Sequence, residues 1–223
     1  MSIFKSLLVV LVFSLSFLGA DIYRISTSYD VPRSVVHRID VFSPSGVSLG
    51  HGSGVSIAPG LILTASHVVG GATAESPQTI IIKIDGYLAK VVSIDPKVDL
   101  ALLSVNVSCP CIPLASESPL SDTPVVAVGY PLSFPQTTTE GLWQSFLPEN
   151  VALSTTPIAF GNSGGGLFHW SWLHMRWELV GVPVGVAGVS LGMFGIPVFN
   201  YTMSVPVERV LYFLHHPLKV AGG

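Results

Sequence analysis

Charged side chains are scarce in this chain, with only 10 lysines and arginines and 13 aspartates and glutamates among 223 residues. Disordered segments combine high charge with few apolar residues, whereas 49% of the residues here are apolar. The net charge of −3 provides no basic surface for nucleic acid or anionic lipid. We therefore expect a folded chain with a large core and no nucleic-acid partner.

Cysteine is nearly absent, since Cys109 and Cys111 are the only two such residues. Two thiols are too few for a disulfide framework, and one intervening residue does not make a complete zinc site. The pair is compatible with a strained local disulfide and equally with two reduced thiols in a linker. The seven histidines lack metal-ligand spacing, so we expect no metal and no cofactor.

Long uncharged runs are few, and the first lies at the N-terminus. Lys5 precedes a mostly apolar run over residues 6–20, which ends in Gly19 and Ala20 before Asp21. A run of about 15 residues is short for a membrane span but suits a secretory signal peptide. We predict that residues 1–20 are a signal peptide and that the protein is secreted or periplasmic. An uncleaved N-terminal anchor is the alternative.

Short apolar segments separated by turn residues recur along the rest of the chain, for example over residues 53–58, 100–105 and 177–186. Many short strands at such spacing indicate an all-β barrel or sandwich. The uncharged stretch 179–201 contains five glycines and two prolines, which favour strands and loops over a membrane helix. Only residues 207–215 have a helical pattern, which Pro217 ends. A proline-rich stretch near residue 110 divides the chain into halves, 21–112 and 113–223.

A glycine-rich turn contains the first candidate catalytic residue. Residues 161–166 read Gly-Asn-Ser-Gly-Gly-Gly. A serine hydroxyl becomes a useful nucleophile when a base and oxyanion donors lie beside it. Flanking glycines permit a tight turn whose amide groups converge on one point. The tripeptide Asn-Ser-Gly also occurs in ordinary loops, so this motif alone does not identify Ser163 as a catalytic residue.

A histidine and an aspartate each adjoin an apolar strand. His67 follows the strand predicted over residues 61–65 and a small-residue turn, and Asp99 immediately precedes the strand over residues 100–105. Each residue also has a non-catalytic interpretation. His67 could be an ordinary surface histidine, and Asp99 could simply begin its strand. If the two side chains are adjacent, Asp99 would accept the Nδ1–H of His67 and fix its tautomer.

These motifs resemble those of the trypsin-like serine peptidases, and in particular of the HtrA (Deg-type) branch. Residues 64–67 (Thr-Ala-Ser-His), 99–103 (Asp-Leu-Ala-Leu-Leu) and 161–165 (Gly-Asn-Ser-Gly-Gly) follow the family order of histidine, aspartate and serine. The resemblance spans roughly residues 50–215. It implies two six-stranded antiparallel β-barrels with a short C-terminal helix and a catalytic site between the barrels.

The resemblance also implies a role for each residue. Ser163 would attack the scissile carbonyl to form an acyl-enzyme, His67 would be the general base, and Asp99 would orient it. The oxyanion hole would consist of the N–H groups of Gly161 and Ser163. The family's specificity pocket falls on Pro157, Ile158, Ala159, Pro183 and Gly185. Because none of these is acidic, we expect cleavage of unfolded or extended polypeptides after small or medium apolar residues.

Two departures from the family sharpen these expectations. Asn162 stands where digestive-type relatives have an aspartate that pairs with a newly cut N-terminus, so we expect activity without such activation. HtrA relatives usually carry PDZ domains, and we expect none in this sequence. Many stand-alone relatives form homo-oligomers. The alternative function is a non-catalytic binding or scaffold protein of the same fold, a pseudoprotease, and the complete triad argues against it. An esterase with the same triad is a third possibility.

Overall fold

The computed structural model describes residues 28–70, 80–132, 134–191 and 194–217, without the side chains of residues 149, 189–191 and 194–199. The predicted signal peptide at residues 1–20 lies outside this range. Twelve strands in two closed barrels make up most of the described chain.

The first barrel is closed by antiparallel pairing in the order β1-β2-β3-β6-β5-β4. Its strands alternate between buried apolar residues and more exposed ones, as the side-chain period of a half-buried strand requires. Their bounds are β1 (Val36–Phe42), β2 (Ser48–Ala58), β3 (Leu61–Thr64), β4 (Ile81–Ile84), β5 (Tyr87–Asp95) and β6 (Leu100–Val105).

The second barrel repeats this strand order as β7-β8-β9-β12-β11-β10. It is built on the long β11–β12 ladder, whose register shifts between Pro183 and Gly185 and again between Val186 and Ala187. Its strands are β7 (Pro124–Gly129), β8 (Thr137–Leu147), β9 (Val151–Ser154), β10 (Gly166–Ser171), β11 (Arg176–Leu191) and β12 (Phe194–Pro206). The prediction of an all-β fold with two six-stranded barrels is thereby confirmed.

Helical structure is short and peripheral. The predicted C-terminal helix is present as α2 (Val207–His215), and a five-residue helix, α1 (Asp30–Ser34), precedes the first barrel. Two 3₁₀ turns, Ser66–Val69 and Pro148–Asn150, interrupt the loops. In the described part of the chain, no helix has the length and apolar character needed to cross a bilayer.

The two barrels share one hydrophobic core. The largest cluster of buried residues joins Val55 and Leu63 of the first barrel to Phe168 and Val205 of the second, and Phe213 of α2 packs into it. Each barrel also has its own interior cluster. The interface between the barrels is therefore packed apolar surface, and the loops that meet along its edge have a rigid support.

Candidate active site

A direct hydrogen bond joins the side chains of Asp99 and His67, the predicted orienting residue and general base. Asp99 lies in the turn before β6 with a left-handed φ of 56°, a conformation that aspartate tolerates better than most residues. Its Oδ2 accepts from His67 Nδ1 at 2.7 Å, and its Oδ1 accepts from the His67 backbone N–H at 2.9 Å. The Ser66 hydroxyl also donates to Oδ1 at 2.7 Å. Ser66 was not among the predicted site residues, although it directly precedes the histidine in the sequence.

The environment of Asp99 keeps its carboxylate ionised. Burial by itself would raise the pKa, but the hydrogen bonds from His67 and Ser66 outweigh burial and hold the pKa of Asp99 below its usual value. An ionised Asp99 requires that His67 Nδ1 carry the proton, which leaves Nε2 as the free lone pair of a neutral imidazole. The His67 side chain is 48% exposed, so its ring is accessible to an incoming substrate.

Ser163 and His67 border the same cavity, which has a volume of about 400 Å³. Within the described residues the Ser163 hydroxyl has no hydrogen-bond partner, and it is not within bonding distance of His67. Catalytic hydrogen bonds are often long in the free enzyme and shorten when substrate binds. The cavity is lined by Val41, Leu49, Gly50, His51, His67, Val68, Gly70, Ile80, Phe160, Gly161 and Ser163.

The backbone of the serine turn leaves two of its amide groups unpaired. The N–H of Asn162 donates to Ala159 O, that of Gly164 to Pro183 O and that of Gly165 to Asn162 O. The N–H groups of Gly161 and Ser163 have no acceptor in the part of the chain that the structure describes. These are the two groups predicted to form the oxyanion hole, and an unpaired pair of donors is what an oxyanion requires.

Glycine is required at residue 161 by both conformation and space. Gly161 has a φ of 97°, and a Cβ there would lie 2.3 Å from Tyr130 O and 2.6 Å from His51 Nε2. A side chain would therefore displace the turn as well as strain it.

Ser53 connects the serine turn to the first barrel, and the sequence analysis missed this role. Its buried hydroxyl donates to Gly161 O at 2.7 Å and accepts from the Tyr130 N–H at 2.9 Å. The Ser53 N–H donates to Ser163 O at 2.9 Å. The sequence offered one signal of this role, a serine between two glycines, residues 52 and 54. In the structure a Cβ at Gly52 would lie 3.2 Å from Ser163 O, so the close approach of the two segments requires glycine there.

The five residues predicted for the specificity pocket do not line the cavity around His67 and Ser163. Ile158 is buried in the core of the second barrel, and Pro157 is exposed. Pro183 instead supports the serine turn, through the bond that its carbonyl accepts from Gly164. Ala159 and Gly185 are half-buried. The residues that line the cavity instead include His51 and the exposed Phe160.

Asn162 is buried, and its Oδ1 has no hydrogen-bond partner among the described residues. This oxygen lies 2.6 Å from where a Cβ on Gly129 would be, which explains the glycine that ends β7. An aspartate in this position would carry a buried charge, which is costly without a cation. A neutral asparagine avoids that cost.

In the described residues, no group of three or more histidine, cysteine, aspartate or glutamate side chains is arranged to hold a metal ion. The candidate site itself offers a hydroxyl, an imidazole, a carboxylate and backbone amide groups. Such a set is sufficient for acyl transfer.

The fold and this site define a class of protein, the two-barrel serine peptidases, and comparison with known proteins agrees. Residues 52–182, more than half of the chain, match the family described as the trypsin-like peptidase domain. The chain belongs to this family.

Individual relatives support the same assignment. A probable periplasmic serine endoprotease DegP-like of Pseudomonas fluorescens is 32% identical over 184 residues, which are 78% of this chain and 36% of the relative. The periplasmic serine endoprotease DegP of Salmonella typhimurium is 31% identical over 163 residues, 67% of this chain and 32% of the relative. The chain thus spans about a third of the length of these curated relatives.

Solved structures share the fold. The active form of the Rv3671c protease from M. tuberculosis is similar with a TM-score of 0.68 and 23% identity, covering 89% of this chain and 86% of that one. An HtrA-type protease solved with a tripeptide has a TM-score of 0.66 and 23% identity, covering 85% of this chain and 63% of that one.

Proposed function

We propose that this protein is a serine endopeptidase that hydrolyses peptide bonds through an acyl-enzyme. The observation that carries the proposal is the hydrogen-bonded pair of Asp99 and His67, which shares a cavity with Ser163. The unpaired N–H groups of Gly161 and Ser163 support it, because the turn offers them no other acceptor. Membership of the trypsin-like family and the names of the DegP relatives support the same activity.

The proposed reaction uses each of these groups once. Ser163 Oγ attacks the scissile carbonyl and transfers its proton to His67 Nε2, and Asp99 stabilises the resulting imidazolium. The oxyanion receives hydrogen bonds from the two unpaired amides, a contribution of about 3–4 kcal/mol per donor. His67 then protonates the leaving amine, and water releases the acyl group. Because a protonated His67 cannot act as a base, turnover falls in acid.

The proposed substrate is an extended polypeptide, cut after a small or medium apolar residue. The cavity beside Ser163 has apolar walls from Val41, Leu49 and Phe160, and among the described residues that line it the only ionisable side chains are histidines. We also propose that residues 1–20 direct export and that residues 21–112 and 113–223 form the two halves of the mature chain. The relatives named as periplasmic support a periplasmic or secreted location.

A fluorophosphonate probe tests the catalytic assignment. The mature protein is expected to be labelled on Ser163 and to digest casein at neutral pH, with cuts after small apolar residues. Ser163→Ala should abolish both. Asp99→Asn keeps the shape and the left-handed turn, but it should slow turnover by about 10³–10⁴-fold because it favours the wrong imidazole tautomer.

Ser116→Ala is the matched control, because Ser116 is exposed and lies outside the site; its labelling should equal that of the parent. A folded parent that is not labelled, or equal labelling of Ser163→Ala, would contradict catalysis by Ser163 and leave the pseudoprotease alternative. Labelling without casein cleavage would indicate an esterase.

A further inference from the structure

A second aspartate–histidine–serine array lies in the first barrel, outside the candidate active site. His37 on β1 contacts Asp85 Oδ2 through Nδ1 at 2.7 Å and Ser56 Oγ on β2 through Nε2 at 2.8 Å. The array continues from Ser56 Oγ to the sulfur of Cys109 at 3.0 Å. Four side chains that are distant in sequence thus form one continuous chain of hydrogen bonds.

The ionised end of the array sets the direction of every bond in it. Burial would raise the pKa of Asp85, but hydrogen bonds from His37 and from the Arg38 backbone N–H outweigh it and lower the pKa. A carboxylate only accepts, so His37 Nδ1 carries a proton, and in the neutral imidazole Nε2 is then the acceptor. The one proton of Ser56 therefore goes to His37, and the bond between Ser56 and Cys109 is made by the thiol proton.

Accessibility identifies the reactive end of the array. Ser56 has no exposed surface, so it can pass a proton but cannot attack a substrate. The His37 side chain is only 12% exposed. Cys109 is half-buried and borders a cavity of about 270 Å³ together with His37 and Asp85. The remaining walls of the cavity are mainly apolar, from Ile62, Ile84, Val105, Val107 and Pro110.

We propose that Cys109 is a reactive thiol that exchanges with low-molecular-weight disulfides, activated by the relay through Ser56 to His37 and Asp85. The thiol proton moves to Ser56 Oγ while the Ser56 proton moves to His37 Nε2, leaving a thiolate. The thiolate sulfur attacks one sulfur of the disulfide, and the old S–S bond breaks. The departing thiolate takes a proton from solvent, and His37, whose side chain is 12% exposed, releases its extra proton to solvent. A mixed disulfide on Cys109 and one free thiol are the products.

The chain contains its own comparison thiol. Cys111 lies two residues away and is exposed, and within the described residues it has no part in the array. Exposure alone would make Cys111 the faster of the two, whereas the relay makes Cys109 faster. The two explanations therefore predict opposite orders of reactivity.

The test measures mixed-disulfide formation with 2-hydroxyethyl disulfide, a small neutral probe, by mass spectrometry at neutral pH. Cys111→Ser and Cys109→Ser each leave one thiol, which prevents exchange between the two. Cys109 should react about tenfold faster than Cys111, because an unassisted thiol is only a few per cent thiolate at pH 7. The Ser163→Ala background prevents self-digestion and separates this result from the peptidase proposal.

Variants of Asp85 and His37 test whether the relay is the cause of the faster reaction of Cys109. Asp85→Asn and His37→Gln should each remove most of the advantage of Cys109 and leave the Cys111 rate unchanged. Asp122→Asn is the matched control, because Asp122 also lies in a left-handed turn, with φ of 65° compared with 48° for Asp85. If His37→Gln does not fold, Asp85→Asn alone tests the relay, because Asp85 is on the surface and its replacement should leave the fold intact. Equal rates for the two cysteines, or a Cys109 rate unaffected by Asp85→Asn, would overturn the proposal.

Discussion

At the scale of single residues, Ser53 determines the position of the serine turn. It belongs to the first barrel, yet its hydroxyl and amide bond to Gly161 O and Ser163 O in the second. Thr64 in turn donates to Ser53 O at 2.7 Å. The orientation of the two unpaired N–H groups therefore depends on a side chain of the opposite barrel.

Replacing Ser53 by alanine should impair both stability and catalysis. The variant leaves Gly161 O and the Tyr130 N–H without a partner, which costs about 1–3 kcal/mol in free energy of unfolding. A small displacement of the turn should lower kcat by about 100-fold. Urea unfolding and the rate of fluorophosphonate labelling measure the two effects.

Ser171→Ala is the control for Ser53, because Ser171 is a buried, hydrogen-bonded serine at the far hairpin. It should lose stability without losing labelling rate. A Ser53→Ala protein that labels as fast as Ser171→Ala would limit Ser53 to a structural role.

At the scale of secondary-structure elements, the β10–β11 hairpin combines aromatic packing with a buried carboxylate. Trp170 pairs with Trp177 across the hairpin, with ring centroids 5.8 Å apart. Glu178 is 4% exposed and binds His174 Nδ1 at 2.8 Å and Arg176 Nε at 2.9 Å. Burial would raise the pKa of Glu178, but these bonds lower it.

This hairpin should make stability depend on pH. A carboxylate with a depressed pKa stabilises the fold above its unfolded value of 4.5, and that stabilisation is lost as pH falls through the folded pKa. Burial lowers the pKa of His169 in the fold, so stability also declines as pH drops below its ordinary 6.5. Glu178→Gln should lower the free energy of unfolding at pH 7 by about 1–3 kcal/mol and flatten the part of its decline that lies below pH 4.5, where the parent carboxylate becomes protonated.

Urea unfolding at pH 7, and at a series of pH values between 5 and 3, measures the two effects, with Glu117→Gln as the control, since Glu117 is exposed. A decline in acid as steep in Glu178→Gln as in the parent would show that other groups are responsible.

At the scale of the whole molecule, the two barrels depend on each other. They share the largest core cluster, and Gln136 of the second half donates to Val36 O and Arg33 O of the first. Neither barrel alone would cover the apolar surface that it presents to the other.

We therefore expect both barrels to unfold in a single transition. All four tryptophans, residues 143, 170, 172 and 177, lie in the second barrel, so their fluorescence reports on that barrel alone, whereas far-UV circular dichroism reports on both. The two urea curves should coincide. Separate midpoints would show that the barrels are independent units.

The secondary structure could largely be predicted from local pattern. The strand at residues 100–105 and the helix at 207–215 were predicted with the bounds that the structure has. Alternation of buried residues and the placement of glycine and proline are local properties, so the sequence contains them directly. The short helix α1 was missed because five residues carry too little periodicity. The strand predicted over residues 177–186 is shorter than β11, which spans Arg176–Leu191.

The candidate residues, too, came from sequence motifs, because His67, Asp99 and Ser163 each adjoin an element with a clear pattern. The sequence motifs did not predict how these side chains are arranged relative to one another. The bonds of Asp99 to His67, of Ser53 to Gly161 and of Cys109 to Ser56 join residues between 32 and 108 positions apart. Such distances depend on strand register and barrel closure. Local sequence determined which elements form and which side chains carry chemistry, and only the tertiary structure decided which of those side chains meet, because contacts between barrels depend on the packing of the whole chain.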